Sequence, residues 1–366
     1  MIAYNVHVVN CLRTCFLRSC DMMEHMPFGK RQEWTVSHKM ATSKDVARLA
    51  GVSHTTVSRA YQKNSSIRPE TYERIMKAAR ELNYAPDTIA ASLRGQRTKT
   101  VGVIIPHTHV TLFMHLTQTL ETELMKHGYR MVVSFDEGDA DQQTSALRMM
   151  AGNRVDSIVY IPVPQQDPAK EREWMRSTNI LFVQFTVREY DELCSFLFDD
   201  VAGMLAGMRH LLAHGHRRIL MLGGENRVQG FYRAYEEIGE IAPIPYTSLE
   251  ELTVDECRER IRQLIEQYDP SAIFSISDQV SVIAYGVLME MRKRVPEDVS
   301  LLVFDEAFWS TSLRISAIGH PVASMAQAMV HQILNYAKGA SPEELPTSTV
   351  YVPYLIERNT VAKYLM

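Results

Sequence analysis

The amino-acid sequence predicts an all-α N-terminal module at residues 41–86, followed by a two-lobed α/β body at residues 100–366. Two observations lead to this fold class. Apolar residues recur at helical spacing between residues 46 and 82, with Gly51 after the first short segment. From residue 101 onward, strand-length apolar runs alternate with amphipathic segments, as in parallel sheets covered by helices on both faces. We expect the two lobes, residues 100–196 with 323–352 and residues 197–320, to face each other across a cleft.

The charge is unevenly distributed along the chain. The 366 residues carry a formal net charge of −4, yet residues 41–99 hold eleven Lys and Arg residues against five Asp and Glu residues. A small basic module attached to an acidic body indicates that the module alone binds a polyanion. A solvated basic helix face gives the same charge, so the charge by itself leaves both interpretations open.

The composition favours a protein of a reducing compartment. No stretch has the roughly 20 consecutive apolar residues of a membrane helix, and Arg13 and Arg18 interrupt any signal-peptide core. The five cysteines form no CxxC pair, which predicts reduced thiols and a cytoplasmic location. Residues 1–40 lack sustained periodicity, and we expect them to be a disordered or non-native extension that precedes a functional start near Met40.

Capping residues divide residues 42–86 into three short helices. Thr42 or Ser43 begins the first helix, and Gly51 ends it in a left-handed turn. Ser53 caps the second helix, and Pro69 suits the first turn of the third. Two short helices joined by a glycine-containing turn form a helix-turn-helix unit, whose second helix enters the major groove of DNA.

The second helix of this unit carries the side chains expected to meet DNA. Arg59 can donate two hydrogen bonds to guanine, whereas His54 and Thr55 are more adaptable base readers. Hydroxyl groups are suited to phosphate contacts, which position a module without reading the base sequence. The candidates for such contacts are Ser53, Thr56 and Ser58.

Short segments of the module resemble a known family. KDVA (residues 44–47), AGVS (50–53) and TVSR (56–59) are similar to the headpiece of the lactose-repressor (LacI–GalR) family of transcription regulators. The resemblance continues through ELNYAP (81–86) and IAASL (89–93), and it covers the chain from about residue 41 to its end. It implies a hinge helix and linker at residues 87–99, in which Leu93 is a wedge that unstacks a base step in the minor groove.

The same resemblance implies a homodimer that binds a partly palindromic operator. Asp87 and the segment Ala60-Tyr61-Gln62 depart from the family pattern, so the operator cannot be copied from relatives. No C-terminal heptad helix follows the body, which disfavours tetramers of that kind. The complete set of candidate DNA contacts is Thr42, Ser53, His54, Thr55, Thr56, Ser58, Arg59, Gln62, Tyr84, Ala90, Leu93 and Arg94.

The body resembles the periplasmic-binding-protein-like effector domain of that family, on segments such as HGHRRI (214–219) and RVQGF (227–231). The family's corresponding Arg and Asp hold hydroxyls of a small effector, which makes Arg227 and Asp278 the leading candidates here. The rigid guanidinium of Arg227 can donate several hydrogen bonds and the two carboxylate oxygens of Asp278 can accept them, which suits the hydroxyls of a sugar or sugar derivative. The alternative is that either residue forms a structural ion pair. Weaker candidates near the expected cleft are His107, Phe113, Phe185, Asp199, Asp305 and Trp309.

The sequence therefore predicts a repressor of carbohydrate-related genes under the control of a small molecule. The sequence has no GxSxG, HExxH or P-loop motif, so we expect neither an enzyme nor a cofactor. His210, His214 and His216 invite a metal-site interpretation, but cationic side chains at a helix C-terminus explain them more simply. The alternative function is that of a solute-binding protein of a transport system, which the attached helical module disfavours.

Overall fold

The computed structural model describes residues 41–61, 67–84, 97–106, 111–223, 227–249, 252–341, 344 and 347–364. The chain divides into two compact units, residues 1–87 and residues 88–366. The predicted N-terminal extension and most of the predicted hinge, with Leu93, lie outside the described residues.

The described part of the first unit contains the helices α1 (Ser43–Ala50), α2 (His54–Ala60) and α3 (Pro69–Glu81). Helix α1 begins after Thr42, whose backbone N–H and hydroxyl donate to the carboxylate of Asp45 at 3.0 and 2.7 Å. Gly51 ends α1 with a φ of +64°, a left-handed conformation that glycine adopts without steric cost. The hydroxyl of Ser53 accepts from the backbone N–H of Thr56 at 3.1 Å and thereby caps α2.

A small core holds these three helices together. Val46, Val57 and Ile75, one from each helix, have fully buried side chains. Alanines fill the remaining interior positions, at Ala47, Ala50, Ala60, Ala78 and Ala79. Because α2 contributes only Val57 and Ala60 to the interior, the rest of its surface is left for other contacts.

The N-lobe of the second unit contains a six-stranded sheet whose described pairings are all parallel. In spatial order its strands are β11 (Ser348–Tyr351), β5 (Cys194–Phe198), β4 (Leu181–Phe185), β3 (Ser157–Tyr160), β1 (Thr100–Ile105) and β2 (Arg130–Phe135). Its helices are α4 (Thr111–Lys126), α5 (Ala140–Gly152), α6 (Pro168–Ser177) and α12 (Val322–Ala337). Every residue of β3 and β4 is buried, because helices cover both faces of a parallel sheet.

The C-lobe repeats this design around a second six-stranded sheet. In spatial order its strands are β12 (Tyr354–Ile356), β10 (Ser316–Gly319), β9 (Ser300–Phe304), β8 (Ala272–Ser275), β6 (Ile219–Gly223) and β7 (Thr247–Ser248). Its helices are α7 (Asp200–Ala213), α8 (Val228–Glu236), α9 (Val254–Tyr268), α10 (Asp278–Glu290) and α11 (Phe308–Ser312). The edge strand β12 runs antiparallel to β10, whereas the other described pairings are parallel.

The chain passes from one sheet to the other after β5, after β10 and after β11. The first passage enters α7 through Asp199, and the second reaches α12 through His320 and Pro321. The third passage contains Pro353 and leads to β12. Side chains at these passages are therefore placed where the two lobes join.

The structure confirms the predicted fold class of a helix-turn-helix module followed by a two-lobed α/β body. The antiparallel strand β12 is an addition that the strand and helix alternation did not predict. Among the described residues, no helix combines the length and apolar character needed to cross a membrane.

Candidate DNA interface and ligand site

Helix α2 presents the three predicted base readers to solvent. The side chains of His54, Thr55 and Arg59 are exposed, whereas Val57 and Ala60 on the same helix are buried in the core. This division follows from helical periodicity, because the apolar positions lie on one side and the polar positions on another. The arrangement fixes the orientation of α2 and leaves its polar face available for a base edge.

The hydroxyl groups around the start of α2 interact with one another. The Ser53 hydroxyl is 2.7 Å from the Thr55 hydroxyl and 2.8 Å from the Thr56 hydroxyl. Ser53 also caps the helix, so part of its hydrogen-bonding capacity serves the local structure. Thr56 and Ser58 are half-buried, and their predicted phosphate contacts stay predictions.

The other predicted DNA contacts are distributed differently. Thr42 is exposed, and its side chain takes part in the capping box of α1 with Asp45. Tyr84 is half-buried, with its ring centroid 6.1 Å from that of Tyr61. The remaining candidates lie outside the described residues; they are Gln62, Ala90, Leu93 and Arg94.

In the C-lobe, Arg227 lies in a network of partly buried charged groups. Its Nε–H donates to Asp200 at 3.1 Å, and its Nη1–H groups lie 2.6 Å from the Ile276 carbonyl and 3.3 Å from Asp305. The guanidinium carbon is 3.7 Å from the ring centroid of Phe304, a cation–π distance. Arg227 therefore forms structural ion pairs, which the sequence left open as the alternative to ligand binding. These ion pairs use some of the N–H groups of its guanidinium.

His320 completes this network from the second passage between the lobes. Its Nδ1 lies 3.1 Å from Asp305 and its Nε2 lies 3.5 Å from Asp200. Burial by itself lowers the pKa of His320, but its hydrogen bonds to the two carboxylates outweigh burial and raise the pKa above the usual value. Burial opposes ionisation of Asp200 and Asp305 as well, yet the partners Arg227 and His320 hold both carboxyl pKa values below the usual range.

Asp305 adopts a strained backbone conformation within the network. It directly follows β9 and has a φ of +73°, which costs a non-glycine residue on the order of 1–3 kcal/mol. The ion pairs with Arg227 and His320 hold its carboxylate in place and offset this cost. Such strain is typical of functional sites at the carboxyl ends of parallel strands.

Asp278, the second leading candidate, connects the lobes. One carboxylate oxygen accepts from the hydroxyl of Thr111, the first residue of the N-lobe helix α4. The other accepts from the indole N–H of Trp309 at 2.8 Å. The structure thus brings two of the ligand candidates, Asp278 and Trp309, into contact. It adds Thr111, which was not a candidate.

Two of the weaker ligand candidates, Phe185 and Asp199, have structural roles of their own. Phe185 is 1% exposed and belongs to the N-lobe core, where it packs edge-on against Phe113 at a centroid distance of 6.2 Å. The carboxylate of Asp199 accepts from the N–H of Ala202 at 2.9 Å and caps α7. Packing and capping are thus the observed roles of these two side chains, and their ligand contacts stay predictions. The same holds for Phe113, whereas His107 lies outside the described residues.

Asp200 and His320 are the site residues that sequence reasoning missed. Asp200 stands next to the chosen Asp199, but it begins α7 and its carboxylate reaches Arg227 instead of the helix cap. The signal that the sequence offered for His320 was its position between the end of β10 and Pro321. Both lie at passages between the lobes, and only the tertiary structure makes those passages neighbours.

Family models match both parts of the chain. The model described as "Bacterial regulatory proteins, lacI family" matches residues 42–87, and "Periplasmic binding protein-like domain" matches residues 208–361. The transcriptional repressor PurR of Aliivibrio salmonicida is 27% identical over 311 residues, with 82% of this chain and 93% of the relative covered. PurR of Escherichia coli O1:K1 is 28% identical over 343 residues, with 88% and 97% covered.

Solved structures agree with this assignment at the level of the fold. The lac repressor dimer bound to operator and the anti-inducer ONPF superposes with a TM-score of 0.75 at 23% identity, covering 88% of this chain and all of that one. A complex of the transcriptional regulator CelR with cellobiose has a TM-score of 0.60 at 22% identity, with 87% and 99% covered. The chain therefore joins a DNA-binding helix-turn-helix domain of the lacI family of bacterial regulatory proteins to a periplasmic binding protein-like domain.

Proposed function

We propose that this protein is a transcriptional repressor whose binding to operator DNA is controlled by a small neutral polyhydroxyl ligand. The exposed polar face of α2 supports the DNA-binding role, because Val57 and Ala60 anchor the helix while Arg59 faces solvent. An exposed Arg on a rigid recognition helix is suited to bidentate recognition of guanine. The relatives named as repressors support the direction of regulation.

The charges around Arg227 support the ligand class. Asp200 and Asp305 both contact its guanidinium, so two carboxylates surround one permanent cation. The sequence segments that directly precede Thr111 and Arg227, HTHV at 107–110 and GEN at 224–226, contain no Lys or Arg. A phosphate or carboxylate ligand needs excess positive charge, whereas hydroxyl groups can donate to Asp278 and accept from Arg227.

We further propose that the protein acts as a homodimer on a partly palindromic operator. Two-fold symmetry of a dimer matches two operator half-sites, and the lac repressor structure of similar fold is a dimer bound to operator. The ligand would act by favouring one arrangement of the lobes, which is allosteric control when ligand and DNA affinities are reciprocally coupled.

The test begins with selection of DNA sequences by the full-length chain, followed by gel-shift titrations on the enriched sequence. A panel of neutral sugars, sugar phosphates and nucleosides is then added at a fixed protein concentration. We expect one discrete operator to be enriched and a neutral sugar to change its affinity by about 5- to 150-fold, the usual range of coupling. Failure to enrich any discrete sequence contradicts the repressor role, and a response to anionic ligands alone contradicts the ligand class.

Two matched variants separate the roles in that test. Asp278→Asn is expected to remove the ligand response while operator binding remains, because it weakens the acceptor that joins Thr111 and Trp309. Asp255→Asn is the control, since Asp255 is an exposed residue in the first turn of α9 in the same lobe. Equal ligand responses in both variants would exclude Asp278 from the site.

A further inference from the structure

Two histidines and a glutamate converge on the C-lobe away from the ligand site. His210 and His214 lie one turn apart at the end of α7, and Glu357 directly follows β12. Helix α7 packs against β10 and β12, which brings Glu357 beside the histidine pair although about 145 residues separate them in sequence. Within the described part of the chain, one possible ligand atom from each residue lies within 4.8 Å of the others.

The hydrogen bond of His214 leaves a ring nitrogen free to bind a metal. Its Nδ1 lies 2.8 Å from the backbone carbonyl of His210, so Nδ1 carries the hydrogen and donates it. The lone pair is then on Nε2. Fixing the tautomer through a backbone carbonyl is the usual arrangement for a metal-binding histidine. The two histidine rings have centroids 4.3 Å apart.

His210 has a buried nitrogen whose bonding is incomplete. Its Nε2 is inaccessible to solvent and has no hydrogen-bond partner among the described residues. Leaving such an atom buried and unpaired is unfavourable.

His216, the third histidine of the same segment, is different. Its Nδ1 lies 3.0 Å from the Ser271 hydroxyl and its Nε2 lies 3.0 Å from the Ala362 carbonyl. Both nitrogens are therefore already paired. Attraction of cationic side chains to a helix C-terminus accounts for three neighbouring histidines, but it accounts neither for the unpaired Nε2 of His210 nor for the approach of Glu357.

We propose that His210, His214 and Glu357 form a binding site for a divalent transition-metal ion, with Zn²⁺ as the best match. Two imidazoles and one carboxylate are a common zinc donor set, and three protein ligands leave a fourth position for water. Zinc bonds of roughly 2.0–2.2 Å place tetrahedral ligand atoms about 3.3 Å apart. The ligand atoms of the three residues lie within 4.8 Å of one another, and the exposed side chain of Glu357 can move inward to close the remaining distance.

The site ties the first helix of the C-lobe to the last strand of the chain. Helix α7 begins at Asp200, which contacts Arg227, and β12 follows the third passage between the lobes. A metal ion bound at the other end of α7 holds this helix against β12. Because the metal ion binds the folded state and not the unfolded chain, the free energy of unfolding increases as the concentration of free metal ion rises.

The experiment measures Zn²⁺ binding by the full-length chain with isothermal titration calorimetry, and uses Co²⁺ absorption to identify the ligands. The variants Glu357→Gln and His214→Gln each remove one ligand, and His331→Gln alters an exposed histidine on α12 as the control. Glu357→Gln changes only an exposed side chain, so it keeps the test valid if His214→Gln folds poorly. We expect wild type and His331→Gln to bind one equivalent more tightly than the two ligand variants, by roughly tenfold or more.

Two readouts distinguish this site from the cysteines of residues 1–20, which could also bind metal. Thiolate ligands give Co²⁺ charge-transfer bands in the near ultraviolet, whereas a His-His-Glu site gives only visible d–d bands. Zn²⁺ should also raise the melting temperature of wild type and of His331→Gln, but not that of Glu357→Gln. Equal zinc affinity and equal thermal response in wild type and Glu357→Gln would overturn the proposal.

Discussion

The hydroxyl of Thr111 in the N-lobe donates a hydrogen bond to the carboxylate of Asp278 in the C-lobe. Asp278 stands at the start of α10, where the helix dipole favours a negative charge, and its second oxygen is held by Trp309. The bond therefore joins a fixed carboxylate in one lobe to the first turn of a helix in the other. Any movement of one lobe against the other has to break this bond or rotate about it.

Replacing Thr111 by Val should destabilise the body, because the isosteric side chain removes a donor to a charged acceptor. We expect the free energy of unfolding to fall by about 1–2 kcal/mol. Thr119→Val is the control, since Thr119 lies on the same helix and the described bond of its hydroxyl is to the His115 carbonyl within that helix. Urea denaturation measures both; similar losses in the two variants would contradict an interlobe role for Thr111.

Asp200→Asn should be much more damaging than Asp199→Asn, although the two residues are neighbours. Asp200 contacts Arg227 and His320, and removing its charge leaves the buried guanidinium with Asp305 as its remaining carboxylate partner in the network. We expect a loss of about 2 kcal/mol, less than for complete removal of a buried partner. Asn caps helices as well as Asp does, so Asp199→Asn should cost under about 0.5 kcal/mol. Chemical denaturation of both proteins checks the difference.

The contribution of His320 to stability should decrease as the pH rises. Its pKa is raised in the folded protein, since hydrogen bonds to Asp200 and Asp305 outweigh burial and the nearby charge of Arg227. The added stability is thus complete below the unfolded pKa of about 6.5, and it is lost as the pH rises through the folded pKa. Comparing wild type with His320→Gln from about pH 5.5 to about pH 8.5 isolates this contribution from those of other histidines. If the difference in unfolding free energy between wild type and His320→Gln stayed constant or widened as the pH rose, the predicted contribution of His320 would be contradicted.

Arg59→Ala should reduce affinity for the selected operator and relax its sequence preference. A bidentate contact to guanine is worth about 1–3 kcal/mol, which corresponds to roughly a 5- to 150-fold loss. Arg48→Ala is the matched control, because Arg48 is an exposed arginine on α1 and its described partner is Asp45, at 3.4 Å. Gel shifts on the operator and on a single-base variant measure both effects. Equal losses of operator affinity for the two substitutions would indicate that Arg59 acts through its charge and not through contact with a base.

Much of the helical module could be predicted from its sequence. Its helix boundaries depend on short-range signals: the cap at Ser53, the left-handed turn at Gly51 and the Pro69 start. Each acts within four residues, so the local sequence contains the required information. The same holds for β1, β2 and β9, whose apolar runs are bounded by polar segments. By contrast, β5 and β12 were not predicted, because their stability comes from neighbouring strands.

The ligand candidates show where local information ends. The alternation of strands and helices predicted a cleft between two α/β lobes, and the family resemblance implied Arg227 and Asp278 as ligand residues there, with Asp305 as a weaker candidate. Only the tertiary structure decided that Asp200 rather than Asp199 meets Arg227, and that His320 bridges two carboxylates. It also decided that Glu357 joins His210 and His214. The physical reason is that the passages between the sheets bring distant segments together, and strand order and helix packing set those contacts rather than any spacing along the chain.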